Sequence, residues 1–172
     1  MNKLLKEQLL SSFSDILIDI EEDNKFIINT KEGYVIPILL YLRELGYKHL
    51  ALISCVDWID DNEFELVYVL SSYMDNDTKY TEKEKTNILV KTRISREKAT
   101  SKTVLNIFVN AEPYERELHE LFGINFEGHP RLTPLFLEVK YETPTFRKDF
   151  DTRKYVKDVF DNIPFVEDRK EK

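Results

Sequence analysis

The sequence predicts an α+β fold, a single domain whose mixed, mostly antiparallel sheet is flanked by helices. Three observations support this prediction. The length of 172 residues suits one domain of ordinary size. Apolar residues make up 42% of the chain and charged residues 33%, a composition typical of globular proteins. Helical and alternating apolar periods follow one another along the chain, as they do in α+β domains.

The first half of the chain gives the elements in a clear order. Leucines at helical spacing predict an N-terminal helix that ends near residues 11–12. Two short strands follow around Ile18 and Ile27, joined by the polar stretch 21–25, and we expect them to form a hairpin. A second helix is predicted over residues 34–45, because its apolar residues recur at helical spacing and Gly46 follows as a helix-ending residue.

Three further strands and a third helix are predicted downstream. Residues 50–56 form an apolar run, which predicts a strand buried on both faces. Alternating patterns over 64–71 and 88–94 predict the next two strands, separated by a polar loop over 75–85. A turn or two of helix is expected near residues 104–108, and a full helix between Pro113 and Gly123.

The C-terminal part contains several prolines and shows little periodicity. We therefore divide the chain into a domain over residues 1–135 and an extended tail over 136–172. The tail carries apolar anchors such as Phe136, Phe146 and Phe160, which is unusual for a free loop of this length. It either packs over its own domain or lies on another chain, and the sequence favours neither.

Charge and cysteine content exclude several function classes. The formal net charge is −7 and no dense basic patch is present, which argues against nucleic-acid binding. A single cysteine, Cys55, cannot form an internal disulfide or supply the ligands of an iron–sulfur cluster, and we expect no cofactor in this chain. We expect no membrane-spanning segment and no secretory signal, so any membrane association would depend on partners.

No catalytic centre is evident among the ionisable residues. Glu115 and His119 are spaced i,i+4 and could share a metal ion with His129, which would make the chain a metal-dependent enzyme, but no second ligand motif supports this reading. A charged helix exposed to solvent or to a partner is the alternative. Trp58, next to several aspartates, is either a surface anchor or a packing residue at a strand end.

Two blocks of residues resemble one protein family. The first block is ERELHELFGI over 115–124 together with FEGHP over 126–130, and the second is RKDF over 147–150. These blocks, with Val-Asp-Trp at 56–58 after a strand, resemble the 30-kilodalton-type subunit of complex I, the NADH:quinone oxidoreductase. Similar subunits occur in membrane-bound hydrogenases and ferredoxin-dependent ion pumps, and the pair Thr133-Pro134 replaces a basic pair common in complex I.

The resemblance implies a subunit without a catalytic centre in a complex I-like membrane oxidoreductase. Such a complex couples electron transfer from NADH or ferredoxin to quinone with proton or ion translocation; a nickel–iron hydrogenase complex is the alternative. The implied partners are the large quinone-pocket or hydrogenase-like subunit and the iron–sulfur subunits, and the partners would carry the iron–sulfur clusters and the flavin or nickel–iron centre. The chain would lie at the cytoplasmic side of the cell membrane, as a peripheral subunit.

The resemblance also assigns interface or structural roles to residues of the two blocks. On this basis the site residues are Glu115, Arg116, Glu117, Glu120, Gly123, His129, Pro130, Arg147, Lys148 and Asp149. We expect ion pairs of these residues with a partner to set the register of the contact.

Overall fold

The computed structural model describes residues 2–13, 16–21, 25–71, 87–137 and 141–159. These residues contain four α-helices and seven β-strands. In chain order the elements are α1 Asn2–Ser12, β1 Ile16–Glu21, β2 Lys25–Thr30, α2 Glu32–Glu44, β3 His49–Trp58, β4 Glu63–Ser71, β5 Asn87–Ser95, β6 Thr100–Lys102, α3 Glu112–Phe122, β7 Asn125–Glu127 and α4 Thr152–Val159. Short 3₁₀ helices at Ile59–Asp61 and Val109–Ala111 lead into β4 and α3.

The central sheet has five strands in the order β1-β2-β5-β4-β3. β2 and β5 are parallel, with Ile28 opposite Val90, whereas the other three pairs are antiparallel. The predicted fold class, a mixed and mostly antiparallel sheet flanked by helices, is therefore confirmed. The predicted hairpin of the first two strands is also confirmed, since β1 and β2 pair along six residues.

The core lies on one face of this sheet. Alternate residues of every strand are buried there, Tyr68 and Phe26 being the largest. Side chains of α1, α2 and α3 join them in one cluster, which includes Leu9, Leu39 and Leu118. Because the strands alternate, the opposite face of the sheet carries the second set of side chains, many of them polar.

β3 differs from the sequence prediction. The run over 50–56 was expected to be buried on both faces, but β3 lies at the edge of the sheet and exposes Leu52 and Val56. The prediction is wrong because burial on both faces requires a covering layer on each side, and the core helices cover only one. Side chains from α3 and the preceding 3₁₀ helix cap part of this edge: Asn110 Nδ2 donates to the Leu50 carbonyl and the Tyr114 hydroxyl donates to that of Ala51.

The C-terminal region contains a helix that the sequence pattern did not indicate. α4 has eight residues, and Tyr155 on it contacts Tyr141 and Phe150, with the Tyr141 and Tyr155 rings 5.2 Å apart. The predicted polar loop over 75–85 lies outside the described residues. Among the helices of the described part of the chain, none combines the length and the apolar character needed to cross a bilayer.

A second, two-stranded sheet brings distant segments together beside α3. β6 and β7 pair in parallel, with Ser101 opposite Phe126, and Thr103 N donates to the Glu127 carbonyl just beyond. Neither three-residue strand was predicted. This pairing places the loop after β6 and the turn after β7 against the same side of α3.

Candidate functional site

α3 is the element that organises the predicted site. Pro113 lies in its first turn, where a missing backbone donor costs nothing, and Gly123 ends it with a φ of +79°. One side of the helix buries Leu118, Leu121 and Phe122 in the core. Several charged residues between them, such as Glu115, Arg116 and Glu120, bind the segments that surround the helix.

Glu115 is fully buried, which is rare for a carboxylate. Its Oε1 accepts a hydrogen bond from Val104 N at 2.7 Å, and its Oε2 accepts one from the Thr103 hydroxyl at 2.6 Å. Burial raises the pKa of Glu115, although these two hydrogen bonds favour the ionised form. The carboxylate thus attaches the loop after β6 to the first turn of α3.

His129 approaches the same carboxylate from the turn after β7. Its Nε2 is 4.0 Å from Glu115 Oε2, and both side chains are completely buried. Arg131 N donates to His129 Nδ1 at 3.0 Å, so the neutral ring carries its proton on Nε2, facing Glu115. Burial lowers the pKa of His129, which favours this neutral form.

Arg116 holds the segment that follows His129. Its Nε donates to the Thr133 carbonyl at 3.0 Å and its Nη2 to the Pro134 carbonyl at 2.7 Å. Its Nη1 also lies 3.2 Å from Glu112 Oε1, which is an i,i+4 pair on the helix, and Arg131 contacts the same oxygen. One guanidinium therefore joins the helix surface to two consecutive carbonyls of the segment that leads into the tail.

Glu120 binds the next three residues through their backbone. The N–H groups of Leu135 and Phe136 donate to Oε2 at 3.0 and 2.9 Å, and that of Leu137 donates to Oε1 at 2.7 Å. Burial opposes ionisation of this carboxylate, but the three donors outweigh it and lower the pKa of Glu120. The 133–137 segment is thus held to α3 by Arg116 through its carbonyls and by Glu120 through its amides.

The RKDF block is fastened to the sheet rather than to α3. Arg96, just after β5, lies between two carboxylates: its Nε is 2.8 Å from Asp57 Oδ1 and its Nη2 is 2.9 Å from Asp149 Oδ1. Lys148 N donates to Asp57 Oδ2 at 2.8 Å. Asp57 and Arg96 are both buried, whereas the Asp149 side chain is partly exposed, so the network links the buried ion pair to the tail at the surface.

Arg147 and Phe146 complete the attachment of the tail. The guanidinium groups of Arg147 and Arg96 each lie 5.4 Å from the ring centre of Phe64. Phe146 N donates to the Leu121 carbonyl, and its ring meets that of Phe122 edge-on. A Cβ added to Gly123 would lie 3.1 Å from Pro144 Cγ, so the tail passes close to the end of α3.

The structure therefore gathers most of the predicted residues around α3 and its neighbouring turns. Glu115 and His129 meet in one buried pair, Arg116, Glu120 and Gly123 hold or adjoin the tail, and residues 147–149 contact the sheet. Glu117 is partly buried on α3, and Pro130 is exposed in the turn. The described contacts of these residues lie within this chain, so their proposed role toward a partner stays a prediction. The division of the chain into a domain over residues 1–135 and a tail over 136–172 also stays a prediction.

The alternative of a metal site finds no support among the described residues. Glu115 has two donors of its own, and His119 Nδ1 donates instead to the Ile124 carbonyl at 2.8 Å. No cluster of three His, Cys, Asp or Glu side chains in the described segments is arranged to hold a metal ion. Cys55 is not an activated thiol, because burial, Asp57 and Glu65 raise its pKa to about 12.

Two residues of the site were missed from the sequence. Arg96 lies in a short loop without any periodic pattern, and Thr103 in another, and no local signal marks either as a partner of Asp57 or Glu115. A usable signal existed only for Asp57, in the Val-Asp-Trp block. Its buried carboxylate requires a buried cation, and Arg96 supplies it.

Several curated proteins are similar to this chain. The subunit named C of the F(420)H(2) dehydrogenase of Methanosarcina mazei is 35% identical over 114 residues, 64% of this chain and 66% of that protein. The NADH dehydrogenase [ubiquinone] iron-sulfur protein 3 of Oryza sativa is 29% identical, over 83% of this chain and 70% of its own. The subunit named C/D of the NADH-quinone oxidoreductase of Blochmanniella pennsylvanica is 27% identical over 86% of this chain, which spans a quarter of that longer protein.

Two solved structures are similar to this chain. A chain of a membrane-bound sulfane sulfur reductase, an archaeal respiratory membrane complex, matches with a TM-score of 0.82 and 26% identity over 99% of both chains. A fragment of Nqo5 shares the fold, with a TM-score of 0.62 and 23% identity over 76% of this chain and 98% of the fragment.

The family model for the respiratory-chain NADH dehydrogenase, 30 Kd subunit, matches residues 28–156. The resemblance of the two sequence blocks is thereby confirmed, and the chain belongs to the family of the 30 Kd subunit of respiratory-chain NADH dehydrogenase.

Proposed function

We propose that this chain is a peripheral subunit, without a catalytic centre of its own, of a complex I-like membrane oxidoreductase. The complex would move electrons from NADH or ferredoxin to quinone and couple this transfer to proton or ion translocation. The chain would be held at the cytoplasmic side of the membrane by other subunits. Its role would be to position them, because the charged residues of α3 are engaged in holding loops and the tail.

The observation that carries this proposal is a pair of exposed aromatic side chains on rigidly held backbone. Phe136 is 66% exposed and Phe146 is 61% exposed. The Phe136 N–H is bound by Glu120 and that of Phe146 by the Leu121 carbonyl, so both project from segments fixed to consecutive residues of α3. Large aromatic residues held in place in this way are typical of protein–protein contacts, because little conformational entropy is lost on binding.

The partners we propose are the large quinone-pocket or hydrogenase-like subunit and the iron–sulfur subunits of the same complex. Those subunits would carry the iron–sulfur clusters and the flavin or nickel–iron centre, and this chain would carry none. The membership of its relatives in respiratory complexes supports such partners. The tail would supply contact area, with Phe136 and Phe146 as its anchors.

A second candidate is the same subunit type in a membrane-bound hydrogenase or a related complex that lacks an NADH-oxidising flavoprotein. The specific observation in its favour is the match over 99% of both chains with a chain of a sulfane sulfur reductase. Assemblies of the two kinds would differ in the subunits that accept and deliver electrons, and both would use this chain as a structural subunit.

Purification of the tagged chain from its own host in mild detergent, followed by mass spectrometry, tests the proposal. Recovery of iron–sulfur and membrane subunits would support it. A flavoprotein that oxidises NADH would favour complex I, and a nickel–iron subunit without one would favour the hydrogenase type. Recovery of the chain alone would overturn both candidates.

Variants at the aromatic anchors test the observation itself. Phe136→Ser should lower the recovered partner subunits by about tenfold, since anchor residues of this kind commonly contribute that much or more. Leu45→Ser is the matched control, because Leu45 is a large apolar residue, 41% exposed, that follows α2 and not α3. Equal recovery with both variants would contradict a role of Phe136 in assembly.

A further inference from the structure

A second apolar patch lies on the sheet face opposite the core helices. Val56 and Trp58 point to this face from the end of β3, and Ile59 follows them in the 3₁₀ helix. Each of the three is between 36% and 40% exposed. We call these three residues, with the acidic residues around them, the Trp58 corner. Other apolar residues of this face are also exposed, among them Leu52 on β3 and Leu17 at the far edge, so the carboxylates around it are what distinguish the corner.

The indole of Trp58 is held in place before any partner arrives. The Arg93 guanidinium lies 5.0 Å from its ring centre. Arg93 is in turn fixed by Asp61 and Glu63, each 3.0 Å from its Nη1. A large aromatic ring that is both exposed and positioned by its neighbours can bind with little loss of rotamer entropy.

The corner has an acidic rim. Four carboxylates stand around the apolar residues, two in the 3₁₀ helix and two on β4: Asp60, Asp61, Glu63 and Glu65. Two cations, Lys91 and Arg93, pair with some of them. Four negative charges against two positive ones leave the rim acidic, so the complementary surface is basic.

The edge strand β3 is not open for a partner strand to pair along it. The Leu50 and Ala51 carbonyls of β3 already accept hydrogen bonds from Asn110 and Tyr114. A partner strand would have to displace both side chains before it could pair along β3. A partner that lays side chains over the outer face meets no such obstacle, and a helix is the element that commonly covers the face of a sheet.

We propose that the Trp58 corner binds an amphipathic helix of another subunit of the complex. Apolar residues of that helix would cover Val56, Trp58 and Ile59, and Lys or Arg residues on its flank would face Asp60 and Asp61. This contact is separate from the one at Phe136 and Phe146, since the tail packs on the core side of the sheet through Asp57 and Arg96. The proposal rests on the proposed function, because it needs a second subunit.

Photo-crosslinking in the assembled complex tests the contact. A benzophenone amino acid replaces Trp58 in the tagged chain, the complex is purified and irradiated, and the adduct is located by mass spectrometry. The expected adduct is a Lys- or Arg-containing peptide of another subunit. The same amino acid at Leu17, an exposed residue of β1 at the opposite edge, is the control and should give no such adduct.

The outcomes separate the two proposals. If partner subunits co-purify but position 58 gives no adduct, the proposed contact at the Trp58 corner is overturned and the proposed function is not. An adduct to this chain or to a second copy of it would have the same meaning. Absence of co-purifying subunits from the unmodified chain would overturn the proposed function and this contact with it.

Charge reversal is the second measurement. Asp60→Lys should lower the recovery of the crosslinked subunit about tenfold, and added salt should lower it further in the unmodified complex. Asp19→Lys is the matched control, because Asp19 is an exposed carboxylate on the same face of the sheet at its far edge. Both variants should be shown to be folded by circular dichroism. Equal recovery of the crosslinked subunit with the two variants would contradict the proposal that a basic helix faces Asp60 and Asp61.

Discussion

Asp57 and Arg96 form a buried ion pair, with Arg96 Nε 2.8 Å from Asp57 Oδ1. The pair joins the edge strand β3 to the loop after β5, and each partner also holds the tail. Arg96 reaches Asp149, and Asp57 accepts the Lys148 N–H. The RKDF block, predicted to form ion pairs with a partner, is thus also a fastening of the tail to its own domain.

Arg96→Met should destabilise the fold strongly. Loss of the guanidinium leaves Asp57 buried without a cation, which typically costs about 3–5 kcal/mol. Urea unfolding of the purified chain measures the change. The Lys148 amide should also exchange faster with solvent, because the carboxylate that accepts it loses its position.

Arg93→Met is the control for this prediction. Arg93 pairs with Asp61 and Glu63 on an exposed face, where ion pairs contribute little to stability. Its unfolding midpoint should stay close to that of the unmodified chain. Similar losses in both variants would contradict the special position of Arg96.

Glu115→Ala and Glu115→Gln should differ in stability. The alanine variant leaves the buried Val104 N–H without an acceptor, which costs about 1–3 kcal/mol, whereas the glutamine side chain keeps a carbonyl oxygen for it. Denaturant unfolding of both variants measures the difference. Equal stabilities would show that Val104 N finds another acceptor.

The pH dependence of Glu115→Gln gives a second result. Burial raises the folded-state pKa of Glu115 above its ordinary value of 4.5. Its contribution to stability is therefore present below pH 4.5 and is lost as the pH rises through the folded-state pKa. Relative to the unmodified chain, the glutamine variant should gain stability as the pH rises from 4.5, and a pH-independent difference would contradict this assignment.

Glu120→Ala should release the segment over residues 135–137. Three backbone amides lose their acceptor, so their hydrogen exchange should accelerate, whereas Glu117→Ala on the same helix should leave them protected. The pKa of Glu120 is lowered, so its contribution is lost as the pH falls below 4.5 through the folded-state pKa. Protection that persists in Glu120→Ala would contradict the role of this carboxylate.

The sequence was sufficient for most elements, because apolar periodicity is a local property. It failed where structure depends on distant segments. The run over 50–56 does not reveal whether its strand is central or at an edge, and β3 lies at the edge. α4 was missed because it has only eight residues and because Tyr155 on it packs on the rings of Tyr141 and Phe150, which precede the helix.

The same limit applies to the site. The resemblance identified Arg116, Glu120 and residues 147–149, but not what they contact. Glu120 binds backbone amides fifteen or more residues away, and Arg96 meets Asp149 across 53 residues. Backbone donors and acceptors are present at every residue, so no pattern of side chains reveals which of them a carboxylate will bind.

Gly123→Ala should destabilise the chain at the end of α3. The residue has a φ of +79°, which costs a side-chain-bearing residue about 1–2 kcal/mol, and the new Cβ would lie 3.1 Å from Pro144 Cγ. Because Pro144 begins the segment that leads to Phe146, the tail should loosen as well, and exchange of the Phe146 amide should accelerate.

Gly33→Ala is the matched control: Gly33 lies in the first turn of α2, and a Cβ there meets no atom of the described chain within 4 Å. That variant should be neutral or slightly stabilising, since alanine favours a helix over glycine. A Gly123 variant as stable as the Gly33 variant would contradict the close approach of the tail to α3.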